Sequence, residues 1–160
     1  MKKFNTALMI LCSLVLIGCA SPIKAPTEKD TSAKIFTPIA DKASLFIYRN
    51  ENYGMALGMP VMVNGHAIGE TGAKTFFRLN LSAGTYVISS KSETISEIPL
   101  TLTEGKNYFV WQEIRMGLLT ARTALRLVDE NQGKNGVMES ALLSPKTGED
   151  VISKSAIRIK

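Results

Sequence analysis

From Ala43 onward, apolar side chains recur at every second position, and turn residues interrupt them about every eight to twelve positions. In a pleated strand successive side chains point to opposite faces, so strands of this kind bury one face by stacking sheets or closing a barrel. The pattern predicts a mainly β domain over residues 43–144, a single antiparallel β-sandwich with one short C-terminal helix.

Leu45-Phe46-Ile47-Tyr48 is apolar on both faces, which predicts a central strand. A loop from Arg49 to Gly58, containing Gly54 and Gly58, is expected to follow. Pro60-Val61-Met62-Val63 then runs into Asn64-Gly65, a hairpin signal because both turn residues tolerate positive φ, and His66 to Glu70 returns. In residues 74–81, Thr75, Phe77, Leu79 and Leu81 alternate with Phe76, Arg78 and Asn80. Ser82-Ala83-Gly84 turns the chain, and Tyr86 and Ile88 share a face of the next strand. Ile98, Leu100 and Leu102 share another, with Pro99 among them. Proline cannot donate to a ladder, so this segment is an edge strand or carries a bulge.

Glu104-Gly105-Lys106 turns into residues 107–114, where Phe109 and Trp111 oppose Tyr108 and Val110. One pair is expected in the sandwich core and the other beneath a helix at 135–144; the alternative is an exposed aromatic patch. Residues 120–128 alternate again. The predicted helix rests on Val137, Met138, Ala141 and Leu142, with Pro145 and Gly148 to end it. The tail, residues 145–160, is expected to add a strand or stay loose.

At the other terminus, Met1-Lys2-Lys3 precedes an apolar run to Ile17 that Ser21-Pro22 and Lys24 cut short of the about twenty residues a membrane span needs. Leu16-Ile17-Gly18-Cys19 resembles the bacterial lipoprotein signal; the alternative is an ordinary secretory signal with an unrelated cysteine. The resemblance implies that residues 1–18 are removed by a peptidase cutting between Gly18 and Cys19. Cys19 would then carry an S-diacylglycerol and an N-acyl chain such as palmitate. Two or three chains anchor a protein stably, where one does not. Ala20 in place of aspartate implies the periplasmic face of the outer membrane rather than the inner membrane. Residues 19–42, with Pro22, Pro26 and Pro38, are expected to form the lipidated N-terminus and a flexible tether, with Ile35, Phe36 and Ile39 able to dock.

Processing at Cys19 would discard Cys12 and occupy the other thiol, leaving no disulfide and placing the burden of stability on the core. The 142 remaining residues suit one domain, and their 17 basic and 14 acidic side chains argue against nucleic acid as a partner.

Leu45-Phe46-Ile47-Tyr48-Arg49, Val63-Asn64-Gly65 with Ile68-Gly69, Phe76-Phe77, Leu81-Ser82-Ala83-Gly84-Thr85-Tyr86 and Glu104-Gly105-Lys106-Asn107-Tyr108 occur in an order that resembles the bacterial and phage lipoproteins grouped as domain of unknown function 2846. The resemblance covers residues 43–130 and implies no assigned activity. The turn before Gly84-Thr85-Tyr86 is also similar to transthyretin-like and carboxypeptidase-regulatory-like sandwich modules, a likeness that bears on fold alone.

Candidate chemistry is sparse. His66, the single histidine, lies beside a turn and lacks the three or four partners of a metal site. Glu93/Glu97 and Asp129/Glu130 adjoin turns, where solvated carboxylates are the ordinary reading and a glycosidase pair the sharper one. No nucleophile elbow or phosphate-binding glycine loop is present. Arg122 and Arg126, with Arg115 and Arg78, suggest either a cationic strip for anionic lipid or glycan or a plain solvated face. The methionine-rich 55–62 segment suggests an adaptable contact loop or a covered one.

The expectation is a non-catalytic lipoprotein needing no cofactor or metal, held to the membrane through Cys19 and binding or scaffolding an envelope protein or glycan. Strand addition at the Pro99 segment or the tail is one route. The alternatives are an envelope hydrolase or transferase, which requires convergent titratable groups in a pocket, and a surface lipoprotein of a phage or mobile element.

Overall fold

The computed structural model describes residues 22–157; Gly18, Cys19, Ala20 and the signal segment lie outside the described residues. Strands β1 (Ala43–Arg49), β4 (Thr75–Leu81), β7 (Asn107–Met116), β8 (Ala121–Val128) and β9 (Ala141–Leu142) form one sheet, ordered β8-β7-β1-β4-β9. Strands β2 (Met59–Val63), β3 (His66–Thr71), β5 (Gly84–Lys91) and β6 (Ile95–Leu102) form the second, ordered β3-β2-β5-β6. The two stack as the β-sandwich that the alternation predicts.

Every residue of β1 is buried, as a central strand requires. Leu45 and Ile47 face the second sheet and pack with Val61, Ile68, Phe77 and Val110. Phe46 and Tyr48 point the other way into a second core with Phe36, Phe76, Phe109 and Val137. Phe46 stacks on Phe109 at 5.0 Å between centroids and meets Phe36 at 5.5 Å. Tyr108 and Val110 thus serve the sandwich core while Phe109 and Trp111 lie on the helix side, the division expected of β7.

Most strand pairs are antiparallel, and the two exceptions have a simple origin. The short 103–106 turn carries the chain from β6 into the other sheet at the end where β1 begins. β7 therefore runs beside β1 in the same direction, with Leu45 opposite Tyr108 and Tyr48 opposite Trp111. β9 likewise lies parallel to the start of β4. Asn64 (φ 48°) and Gly65 (φ 77°) both adopt the left-handed conformation of the predicted β2–β3 hairpin. Pro99 sits on β6, an edge strand, as its missing N–H demands.

Three local expectations need correction. The helix placed at 135–144 is α2 (Glu130–Met138), started by Asp129, whose Oδ1 accepts the Gln132 N–H at 2.9 Å. Ala141 and Leu142 belong instead to β9, because an i, i+4 apolar pair at a helix end is equally served by a strand following the helix. Gly133 and Gly136 let α2 approach closely: a Cβ at Gly133 would strike the Phe109 ring, and one at Gly136 the Tyr48 ring. The tail forms α3 (Glu149–Lys154), pinned by fully buried Ile152, and contributes one paired residue, Ile157, which exchanges two 3.1 Å bonds with Thr85.

The flexible tether expected over 19–42 is ordered from Pro22 onward. A further helix, α1 (Thr27–Ala33), precedes the sandwich and packs beside β9. The Asp30 carboxylate explains its docking, accepting the Leu142 N–H and the Lys34 ammonium, each at 2.7 Å. Phe36 is buried as anticipated, whereas Ile35 stays exposed.

The sheet edges are partly covered. Ser96 Oγ on β6 accepts the Leu125 N–H of β8 at 2.9 Å, and the Lys146 N–H donates to Ile68 of β3 at 2.8 Å. Ala25 donates to Leu142 of β9 at 2.9 Å.

Candidate functional site

Arg49 ends β1 with its side chain fully buried, although no carboxylate lies within ion-pair distance among the described residues. Its guanidinium donates instead to backbone carbonyls: Tyr53 and Leu57 at 2.8 Å and Gly54 at 2.7 Å. A planar fork of donors suits three carbonyls converging from one turn, and it folds the 50–58 loop back over the end of the sandwich. Burial lowers the pKa of Arg49 and nearby Glu51 partly offsets this. Glu51 in turn accepts the Ile114 N–H at 3.0 Å, and burial pushes its carboxyl up.

Beneath this loop runs a buried polar chain. Thr71 Oγ1 bonds Gln112 Oε1, Gln112 Nε2 donates to Ser90 Oγ at 2.7 Å, and Ser90 donates to the Pro60 carbonyl at 2.6 Å. Each member is satisfied by another, so the chain ties the two sheets together rather than offering a reactive group.

The neighbouring loop, 117–120, is organised from outside itself. Glu93, in the turn between β5 and β6, accepts the N–H of Leu118 at 2.9 Å and of Leu119 and Thr120 at 3.3 Å. Its other oxygen receives Arg122 at 2.9 Å. The Arg122 guanidinium, helped by the Leu118 N–H, holds the Glu93 carboxyl down at about 2. With its backbone occupied, the loop turns its side chains outward: Met116 is 78% exposed, Leu118 84% and Leu119 91%. Tyr53, Met55 and Leu57 of the facing loop are exposed as well, and the two loops share a groove of about 350 Å³. An apolar rim of this kind marks a contact surface.

The arginines divide around this rim. Arg115 and Arg126 both pair with Glu113 at 2.8 Å, and Arg122 pairs with Glu93. The cationic strip is therefore a set of exposed ion pairs, and Arg78 stands apart on β4, its guanidinium over the Phe46 ring at 5.5 Å. Arg126 also borders a shallow groove of about 490 Å³ with Trp111, Asp129 and Gln132.

A cleft of about 540 Å³ opens between α1, Arg78 and Glu149. Glu149 accepts the Asn80 N–H at 2.7 Å, and burial pushes its carboxyl up. Arg78 and Glu149 do not form an ion pair within 4.0 Å, and no nucleophile–base pair is bonded in this cleft.

His66 lies half-buried on β3, beside the β2–β3 hairpin turn. Among the described residues no group of three or more His, Cys, Asp or Glu could hold a metal ion. Glu97 is exposed, Asp129 caps α2 and Glu130 pairs with Lys134 at 2.6 Å, so Asp129 and Glu130 are engaged in a helix cap and an exposed ion pair. Met59 of the methionine segment is buried while Met55 projects. Sequence reasoning missed the Leu118-Leu119 tip and the burial of Arg49. Two leucines bracketed by glycine and threonine, out of phase with the flanking strands, were the available signal for the first.

A two-sheet sandwich with an apolar rim is the class this geometry defines. The family described as "Protein of unknown function (DUF2846)" matches residues 39–124, and the chain belongs to that family. An uncharacterized protein of Haemophilus influenzae is 32% identical over 138 residues, covering 85% of this chain and 82% of the relative. No solved structure matches the chain significantly.

Proposed function

We propose that the chain is a lipid-anchored lipoprotein of the bacterial envelope, cleaved before Cys19 and held at the periplasmic face of the outer membrane. Its sandwich acts without catalysis, binding or scaffolding another envelope component, protein or glycan. The observation that carries this reading is the Leu16-Ile17-Gly18-Cys19 quartet together with the position of Pro22, which already packs against Gly72 of the fold. Three residues extend at most about 10 Å. A lipid on Cys19 would therefore be joined almost directly to a folded module, which suits holding a partner near the membrane.

The groove beside Trp111, Arg126 and Gln132 is the surface we assign to the partner, because an aromatic plane flanked by polar groups suits a sugar or a peptide side chain. The sheet edges are less suited to strand addition, since side chains and flanking segments already occupy parts of them.

The test is fractionation of cells expressing wild type, Cys19→Ala and Ala20→Asp. Wild type is expected in outer membranes, Ala20→Asp shifted to inner membranes, and Cys19→Ala released or left as precursor. Correct cleavage and unchanged membrane retention of Cys19→Ala would sink the anchor. A photo-crosslinker at Gln132 is expected to capture one envelope component in intact cells; recovery of monomer alone would remove the assigned surface.

A further inference from the structure

Loops 50–58, 72–74, 92–94 and 117–120 all lie at one end of the sandwich, because β1 and β7 finish there and β4 and β8 begin there. That end carries the exposed side chains of Tyr53, Met55, Met116, Leu118 and Leu119. Pro22 reaches the fold at the same end, against Gly72. The opposite end differs in character: its turns present Asp41, Lys42, Ser82, Glu104 and Lys106.

We infer that the apolar end is a membrane-seating surface, whose leucine and methionine tips enter the same bilayer leaflet that holds the lipid of Cys19. This rests on the lipoprotein reading above. Three features select a bilayer over a protein partner or a second copy. The first is reach: Cys19 precedes Pro22 by three residues, at most about 10 Å, so an embedded lipid brings this end to the headgroups. The second is composition: the tips are unbranched or γ-branched apolar side chains standing out singly, which acyl chains accommodate without shape complementarity.

The third is the treatment of polar groups. The amides of Leu118, Leu119 and Thr120 are all taken by Glu93, so the tip offers few free N–H groups to the interface, where such groups are costly. Arg115 and Arg122 flank the tip about half exposed, each already paired with a carboxylate, so the charges beside the tip are neutralised within the protein. Lipid and loops acting together form two attachments to one surface, which fixes the orientation of the module.

The experiment uses full-length lipidated protein bearing Leu119→Cys or, as a control at the opposite end, Glu104→Cys. Each is labelled with an environment-sensitive fluorophore and reconstituted into phosphatidylethanolamine–phosphatidylglycerol vesicles containing doxyl-labelled lipid. The expected result is a blue-shifted probe at 119, quenched several-fold more than the probe at 104. Equal quenching at the two positions would overturn the inference. So would a blue shift at 119 without doxyl quenching, which reports a protein or second copy covering the tip. The parent chain tests the anchor separately: labelling of its Cys19 thiol would refute lipidation, whatever the probe at 119 reads.

Discussion

Glu93 and Leu118 are 25 residues apart, yet the carboxylate accepts the Leu118 backbone N–H through both oxygens, at 2.9 and 3.1 Å. The shape of the 117–120 loop is thus dictated by a side chain from the opposite sheet, which itself exposes the two leucines.

Acid should dissolve this arrangement. The Glu93 carboxyl is held at about 2 in the fold against an ordinary value of 4.5, so it binds protons less readily folded than unfolded. Its stabilising contribution is complete above about 4.5 and disappears as pH falls through about 2. Hydrogen exchange of the Leu118, Leu119 and Thr120 amides should lose protection across that window. In Glu93→Ala protection should be absent already at neutral pH. Retained protection in that variant would show that the loop holds itself.

Gly136→Ala should destabilise, against the helix propensity that favours alanine by about 1 kcal/mol. A Cβ there meets the Tyr48 ring, which is buried in the aromatic core and has no room to retreat. Overpacking costs about 1–3 kcal/mol, a fall of about 2–4 °C in Tm per kcal/mol for a chain of this length. A thermal melt with unchanged or raised Tm would contradict the close approach of α2 to β1.

Arg49→Met should open the 50–58 loop. Methionine fills the volume but leaves the Tyr53, Gly54 and Leu57 carbonyls without donors, at about 1–3 kcal/mol for each that stays buried. Limited proteolysis should cut within 50–58 while the strands survive. Arg49→Lys should rescue little, since one ammonium cannot span three carbonyls. Wild-type resistance in both variants would remove Arg49 as the organiser.

These sites also show where the sequence was legible. Asn64-Gly65, Pro99 and the doubly apolar 45–48 run each force a local answer through φ, a missing N–H or burial on two faces, and each lies where it was expected. Residues 27–33 offered no apolar period, because α1 is held by Asp30 reaching the Leu142 amide 112 residues away rather than by a buried stripe. Arg49 reads in the sequence as the start of the 49–58 loop, whereas it ends β1, and its burial depends on carbonyls that only the folded loop brings together. Leu118-Leu119 carried a weak signal, a break in alternation, whose meaning rests on Glu93 across the sandwich.

Whether Cys19 carries lipid is read by mass spectrometry of the protein purified from membranes. Residues 1–18 should be absent, and the N-terminal peptide should start at Cys19 with a diacylglyceryl thioether and an amide-linked acyl chain. An N-terminal peptide retaining residues 1–18, or one beginning at Cys19 with a free thiol, would contradict it.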